Sequence, residues 1–476
     1  MEFKHKRGSI LILFNKISQI PIIILSIIVS IVIFKTFDFE GLVPTLFIVF
    51  SPLAGVVRYF TTYYTLEEGH LIVETGVFNR KRKEIPFRVI TTVDLSQNIL
   101  YQLFNTYKIK IDNASQTNDT INKAEVELAL KADEAFMFKQ IVTQNTTKEI
   151  VFEENANVVK VSPKDFIKLG LLQSKFAYFF IIASTVGPLV AVIVSLVTGS
   201  DNIEKLFFSI LSKTSLINII VGTVIFLYLT ALGWSIVNSL YTYFNFSISA
   251  NNDSLKIEYG LFNKKKFTLK KSKINGIILK QNLLMRLFKC YTAEILVIGY
   301  GDNSDGEAHE QAIIYPIASM SKIKSIIKEL LPEFELEQDT SKPKSKSLKY
   351  FFFNFGFVVA SMILIGSLFT KNIIPIAIAG VIELFAACSI VLQYFNSGIM
   401  SSERNIVISF GGFHKNIAIV KTASVENITA SGSILKRKQG FVSIRVGFVA
   451  PLRASKITAL NRTIDEFEEL EAVISR

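Results

Sequence analysis

Cysteine is nearly absent from this chain: Cys290 and Cys388 are the only two. One falls in a segment with strand-like alternation and the other in an apolar run, so they support neither a disulfide framework nor a zinc cluster. Histidine is as sparse. His5, His70, His309 and His414 are scattered with no ligand spacing, which leaves a metal site without support. Signatures of catalysis are missing too: there is no serine nucleophile elbow, phosphate-binding glycine loop or paired-acid motif on a strand-to-helix turn. The stretch GYGDNSDG from Gly299 has a calcium-like look. It lacks the length and terminal Glu of an EF-hand and reads as a loop between strands. Neither an enzyme nor a cofactor is expected.

Charge is also scarce, at 19% of residues against 50% apolar, an apolar surplus that the lipid phase would accommodate. The net charge is +12, which suits a nucleic acid, an anionic membrane surface or a lysine-rich background. The basic runs are not interleaved with exposed aromatic platforms, so nucleic acid is not expected.

Apolar runs occur in pairs. The first occupies residues 17–34, between Lys16 and Lys35, and as a helix would span roughly 27 Å of a hydrocarbon core about 30 Å thick. A second follows at 41–57 after the short loop KTFDFE, giving a helical hairpin. Further pairs lie at 176–197 with 216–237 and at 350–370 with 373–395. The basic start (Lys4, Lys6, Arg7) is not followed by a small-residue cleavage site, and it reads as part of the first hairpin rather than a removed signal.

The segments after the hairpins repeat as well. GVFNRKRKEIPFRVITTVDLSQNILYQLFNTYKIKI from Gly76 aligns without gaps to GLFNKKKFTLKKSKINGIILKQNLLMRLFKCYTAEI from Gly260, with Gln97/Gln281, Asn98/Asn282, Leu103/Leu287, Phe104/Phe288 and Tyr107/Tyr291 identical. A weaker copy from Gly411 has Gly432 and Ser433 in place of the Gln-Asn pair. That pair reads as amides satisfying backbone groups where the chain turns into a short helix. Strand alternation dominates each copy, as in YTLEEGHLIVETG across a turn at 67–69. An amphipathic helix closes each. Met320, Ile323, Ile326, Ile327, Leu330 and Leu331 form one such face after Ser319 as N-cap, and Ile457, Leu460, Ile464, Phe467 and Ile474 another. A small antiparallel sheet or barrel capped by one helix is the simplest architecture.

Basic residues before the hairpins, including Lys4, Lys6, Arg7, Lys16 and the linker SKPKSKSLK, outweigh those in the turn loops. The positive-inside rule therefore puts both termini and all soluble copies on the cytoplasmic side of the plasma membrane. Trp234 suits an interfacial anchor or an ordinary packed aromatic equally well.

Two constellations stand out. The basic turn Arg80, Lys81, Arg82, Lys83 and its counterpart Lys264, Lys265, Lys266, with Lys270 and Lys271 nearby, is a candidate lipid- or partner-binding surface; a solvated turn in a lysine-rich chain is the plainer explanation. Glu383 inside the sixth apolar run is costly there and raises a transporter or flippase alternative. Asn354 could hydrogen-bond a protonated Glu383 across the hairpin, a structural role.

In order, a hairpin, GVFNRKRKEIP, RVITTVDLSQN and LFNTYKIKIDNA closely resembles the YdbS/YdbT-like family of membrane-flanked bacterial pleckstrin-homology (PH) domains, and the three copies resemble its longer, YdbT-like branch. The resemblance implies PH-like units of seven strands in two packed sheets with a C-terminal helix. It implies no established catalytic activity, and a shorter one-hairpin, one-domain relative as a heteromeric partner. The expected α+β membrane protein is then a hairpin within 1–57, a PH-like domain at 58–148, a linker at 149–175, a hairpin at 176–237, a domain at 238–334, a basic linker at 335–349, a hairpin at 350–395 and a divergent domain at 396–476. Its expected function is a non-enzymatic scaffold presenting those domains at the inner leaflet to a protein partner, anionic lipid or both.

Overall fold

The computed structural model describes residues 5–12, 57, 59–67, 69–76, 80–113, 126–144, 158–173, 216–251, 253–297, 312–336, 340–352, 355–369, 373–448 and 456–475. The apolar runs at 17–34, 41–56 and 176–197, the loop from Gly299, and Asn354 lie outside them.

Three units share one order of elements. The first runs β1 (Tyr63–Glu67), β2 (His70–Thr75), β3 (Lys81–Pro86), β4 (Ile90–Gln97), α1 (Ile99–Leu103), β5 (Thr106–Asn113), β6 (Val126–Lys131) and α2 (Ala132–Gln144). The second begins with β7 (Val158–Lys160), α3 (Pro163–Leu172) and the apolar helix α4 (Leu216–Thr242). It continues through β8 (Ser247–Ala250), β9 (Ser254–Tyr259), β10 (Lys264–Lys270), β11 (Ile274–Gln281), α5 (Leu283–Leu287), β12 (Cys290–Val297), β13 (Ala312–Ser319) and α6 (Met320–Leu330). The third places α7 (Leu348–Phe351), α8 (Phe355–Leu368) and α9 (Ile373–Asn396) before its strands. These are β14 (Gly398–Ser401), β15 (Asn405–Phe410), β16 (Lys415–Lys421) and β17 (Val425–Ser431), then α10 (Ile434–Lys438), β18 (Phe441–Phe448), β19 (Lys456–Thr463) and α11 (Ile464–Ile474).

The closing helices form where apolar spacing and caps coincide. Ile323, Ile326, Ile327 and Leu330 of α6 are buried. Ser319 occupies its N-cap position, but its hydroxyl pairs with Ser321 instead of capping the backbone. The last helix starts later than its apolar spacing predicts. Thr463 and Glu466 form a reciprocal capping box, which leaves Ile457 and Leu460 on strand β19.

Glycines at equivalent positions turn the second strand of each unit into the third. Gly76, Gly260 and Gly411 have φ of 121°, 109° and 112°. A Cβ on Gly260 or Gly411 would lie 2.0 Å from a backbone carbonyl oxygen, so only glycine fits.

In each unit the three strands after the apolar runs form one sheet and the next three form another, and the sheets continue from unit to unit. One sheet runs β6-β5-β4-β10-β9-β8-β7 and another β13-β12-β11-β16-β15-β14, while β1-β2-β3 and β17-β18-β19 stand at the ends. Gln97 opposes Lys264 and Ser96 opposes Lys265 at the first joint; Gln281 opposes Lys415 and Lys280 opposes Asn416 at the second. By the sequence repeat these are equivalent pairs. The sheet at the second joint is buried on both faces: Ile277, Leu279, Val407 and Ile419 belong to the core of unit two, and Ile278, Leu296, Ile408, Ala418 and Val420 to that of unit three. Burial on both faces accounts for the continuous apolar run in β11, where a one-faced strand would alternate.

Among the described residues six strands follow each pair of apolar runs, against the seven the resemblance implies, and additional pairing comes from the segments before those runs. β7 pairs with β8. Lys6 bridges Tyr64, and Ser341 bridges Ile399. Stretch 149–175, read as a linker, thus contributes a strand, because the edge of β8 offers backbone groups that need partners.

Among the described residues two helices are long and apolar enough to cross a membrane, at Ile225–Thr242 and Pro375–Asn396. A third joins them if Ser345–Phe351 and Gly356–Leu368, bent by 60°, form one span. Helix α3 packs on the end of α4. Ser235 Oγ donates to the Gly170 carbonyl at 2.8 Å and Ser239 Oγ to that of Phe166 at 2.9 Å. A Cβ on Gly170 would lie 2.5 Å from Ile236 Cα, so Gly170→Leu is expected to cost about 1–3 kcal/mol through overpacking. Thermal melts in detergent check this, with Ser235→Ala expected to cost less, about 1 kcal/mol.

Candidate functional site

The repeated Gln-Asn pair builds a single helical turn. Asn98 Oδ1 accepts from Tyr101 N and Asn282 Oδ1 from Met285 N, both at 2.8 Å. Gln97 Nε2 donates to the Thr106 carbonyl and Gln281 Nε2 to that of Cys290, both at 2.9 Å, tying the turn to the following strand. Asn105, Lys289 and Gly440 close the three turns with positive φ of 48°, 51° and 76°.

Each turn buries one side chain: Tyr101, Met285 or Lys436. The other apolar residues point outward. Ile99, Leu103 and Phe104, then Leu283, Leu287 and Phe288, then Ile434 and Leu435 are exposed, with Leu103 at 76%, Leu287 at 75% and Ile434 at 75%. Apolar exposure recurs at the equivalent positions Ile99, Leu283 and Ile434, whereas Lys438 and Gln439 stand in unit three where the first two units have the Leu-Phe pair.

All three turns stand where the chain enters an apolar run. Tyr101 Oη donates to the Leu11 carbonyl at 3.1 Å, shortly before run 17–34. Asn282 Nδ2 donates to the Leu172 carbonyl at 2.6 Å, just before run 176–197. Lys349 donates to Gln439, and the rings of Tyr350 and Phe441 meet at 5.6 Å, at the head of run 350–370.

The loop that leads into Lys264 to Lys266 docks nearby, as does its counterpart in unit three. Gly260 N and Leu261 N donate to the carbonyls of Phe244 and Tyr241 at the end of α4. Gln102 Nε2 of unit one donates to the Leu261 and Phe262 carbonyls at 3.2 and 2.8 Å. In unit three Asn396 Nδ2 donates to Gly411 and Gly412 at 2.8 Å each, and Phe413 meets Phe385 of α9 at 6.0 Å between ring centroids.

Arg80, Lys81, Arg82 and Lys83 are exposed at the start of β3, with Arg82 paired to Glu84 at 2.9 Å. Lys264, Lys265 and Lys266 open β10, and Lys266 lies 3.8 Å from Glu258. Lys270 and Lys271 do not join them. They stand at the opposite end of β10, roughly 20 Å along the strand, and partial burial lowers both pKa values.

Glu383 accepts a hydrogen bond across the hairpin from Ser361 Oγ on α8 at 2.8 Å. Ser361 is a partner that the sequence reading did not name. Oε2 of Glu383 has no hydrogen-bond partner among the described residues, and no cluster of three His, Cys, Asp or Glu side chains there could hold a metal ion. The apolar tips are the feature that reading for charge and chemistry passes over. Their only signal is the repeated Leu-Phe after a capped single turn.

The family model described as Bacterial PH domain matches residues 12–146, 178–332 and 351–476. The chain is similar to the UPF0699 transmembrane protein YdbT of Bacillus subtilis (strain 168), 25% identical over 315 residues that make up 63% of this chain. It spans 62% of that relative's length. No solved structure matches.

Lys436 replaces an apolar residue, and its Nζ donates to Ser443 Oγ at 2.7 Å. Burial draws its pKa from 10.5 down to about 8. Between those values the unfolded chain binds more protons at this residue, so its contribution to stability rises with pH across the window and is least favourable below it. Lys436→Met is expected to stabilise the protein at pH 7 by about 1–3 kcal/mol and to remove this rise, as melts at pH 7 and 10 would record.

Proposed function

This chain belongs to the bacterial PH domain family, and from that premise we propose that it is a non-enzymatic membrane scaffold. Three hairpins, six transmembrane helices in all, hold the PH-like units on the cytoplasmic face, with both termini on that side. The units rest on the inner leaflet through their apolar tips and engage anionic lipid through the adjacent basic residues.

The supporting observation is the recurrence, in all three units, of exposed apolar tips beside the start of an apolar run, with Lys264 to Lys266 paired next to the first of them. Burying a leucine-sized side chain contributes about 1.5–3 kcal/mol when complete, and a lysine or arginine near an anionic surface about 1 kcal/mol. The hairpins already hold the units at high effective concentration, so contacts of this size suffice to orient them. The aqueous face of the units is left for a protein partner, and a shorter one-hairpin relative is the first to seek in co-purified material.

The test uses the full chain with Cys290→Ala and Cys388→Ala, carrying Leu287→Cys labelled with an environment-sensitive dye, in nanodiscs of phosphatidylglycerol or phosphatidylcholine. A blue-shifted label quenched by lipid-borne nitroxides is expected, and a label open only to aqueous quenchers sinks the reading. Changing Lys264, Lys265 and Lys266 to Gln is expected to weaken docking on phosphatidylglycerol by roughly 1 kcal/mol per lysine. The half-satisfied carboxylate of Glu383 favours a transporter as the second reading. Glu383→Gln is expected to leave docking unchanged, whereas loss of a measured ion or lipid flux on that substitution would favour the transporter.

A further inference from the structure

Both joints between units use the same two edges. The fourth strand of one unit, β4 or β11, pairs with the third strand of the next, β10 or β16. In repeat coordinates the register is identical, since Gln97 opposes Lys264 as Gln281 opposes Lys415. A chain of three units leaves one edge of each kind over. β3 is the outermost strand of β1-β2-β3 and β17 of β17-β18-β19, and among the described residues no strand lies beyond either. We infer that these edges join two copies of this chain, β17 of one pairing antiparallel with β3 of the next in the register of the internal joints.

The repeat places Ser431 opposite the second copy's Lys81, Gly432 opposite its Arg80 and Ala430 opposite its Arg82. The basic character of β3 is no barrier. Lysine commonly protects open edges, yet Lys264, Lys265 and Lys266 occupy the same positions of β10 and are paired. The like charges that would meet have an internal precedent as well. Lys415, equivalent to Arg80, has its pKa lowered by burial and by Arg286, which is equivalent to Arg437. Pro86 lies beyond the stretch paired at the first joint. The small side chains of Ala430, Ser431 and Gly432 leave room for the long arms of β3.

Position in the membrane favours the same occupant. Copies confined to one membrane meet at high effective concentration, which favours pairing of the two edges. The contact is head-to-tail, so it closes into a ring or extends as a row according to its rotation. This inference does not rest on lipid docking by the tips.

Two differently tagged full-length chains test it, co-expressed in one membrane with Cys290→Ala and Cys388→Ala in both. One carries Lys81→Cys and the other Ser431→Cys. Opposed residues of an antiparallel pair have Cα atoms about 4.5–5.5 Å apart, within disulfide reach, so mild oxidation is expected to yield a doubly tagged species at least about tenfold above a Glu84→Cys control. That species would run at twice the 53.4 kDa of one chain. Linkage no better than the control, or linkage of the Ser431→Cys chain to a different protein instead, overturns the inference. The unsubstituted protein in nanodiscs provides a measurement independent of the variants' folding. Mass photometry is expected to find multiples of the single chain, and single chains at every concentration overturn the inference.

Discussion

An open sheet edge is the constraint on which this architecture depends. A row of unpaired backbone donors and acceptors must find water, a cover or another strand, and here the fourth strand of one unit finds the third strand of the next. That choice merges three units into one body. At the second joint it also produces a sheet with a core on either side, so Ile277 and Ile278, neighbours in sequence, serve different units. Separating these units would expose both faces, a larger penalty than parting two domains that merely touch.

The segments that precede the apolar runs are built into this body, each tied to the end of its own unit. Lys6 meets Glu134 at 3.1 Å, Tyr315 Oη donates to Asp165 at 3.1 Å, and Arg462 Nη2 donates to the Ser341 carbonyl at 3.0 Å. Arg462 is fully buried and also bonds Glu466, so its charge is compensated where it would otherwise be prohibitive. The single-turn helices are held beside the start of an apolar run in all three units.

The third unit shows what happens when that turn loses its amides. Gly432 and Ser433 stand where the other units have Gln and Asn, and Ser433 makes no side-chain cap. A lysine takes the buried position and reaches Ser443. The outer tips nevertheless remain apolar at Ile434 and Leu435. The exposed face persists in part, with Lys438 and Gln439 where the other units expose Leu and Phe.

Sequence by itself determined the repeat, the apolar runs, the alternation of strands with a closing helix and the structural service of the Gln-Asn pair. All of these are local, written in spacing and in side chains that reach their own backbone. It also exposed the basic stretches, because charge is visible without a fold. Only tertiary structure decided that β10 divides Lys264 from Lys270, that Ser361 meets Glu383, that segments read as linkers pair with the sheets, and that neighbouring units share them. Each of these turns on which distant backbone lies alongside which strand. Edge pairing is made by N–H and C=O groups common to every residue, so its partners leave little trace in the side chains from which a sequence is read.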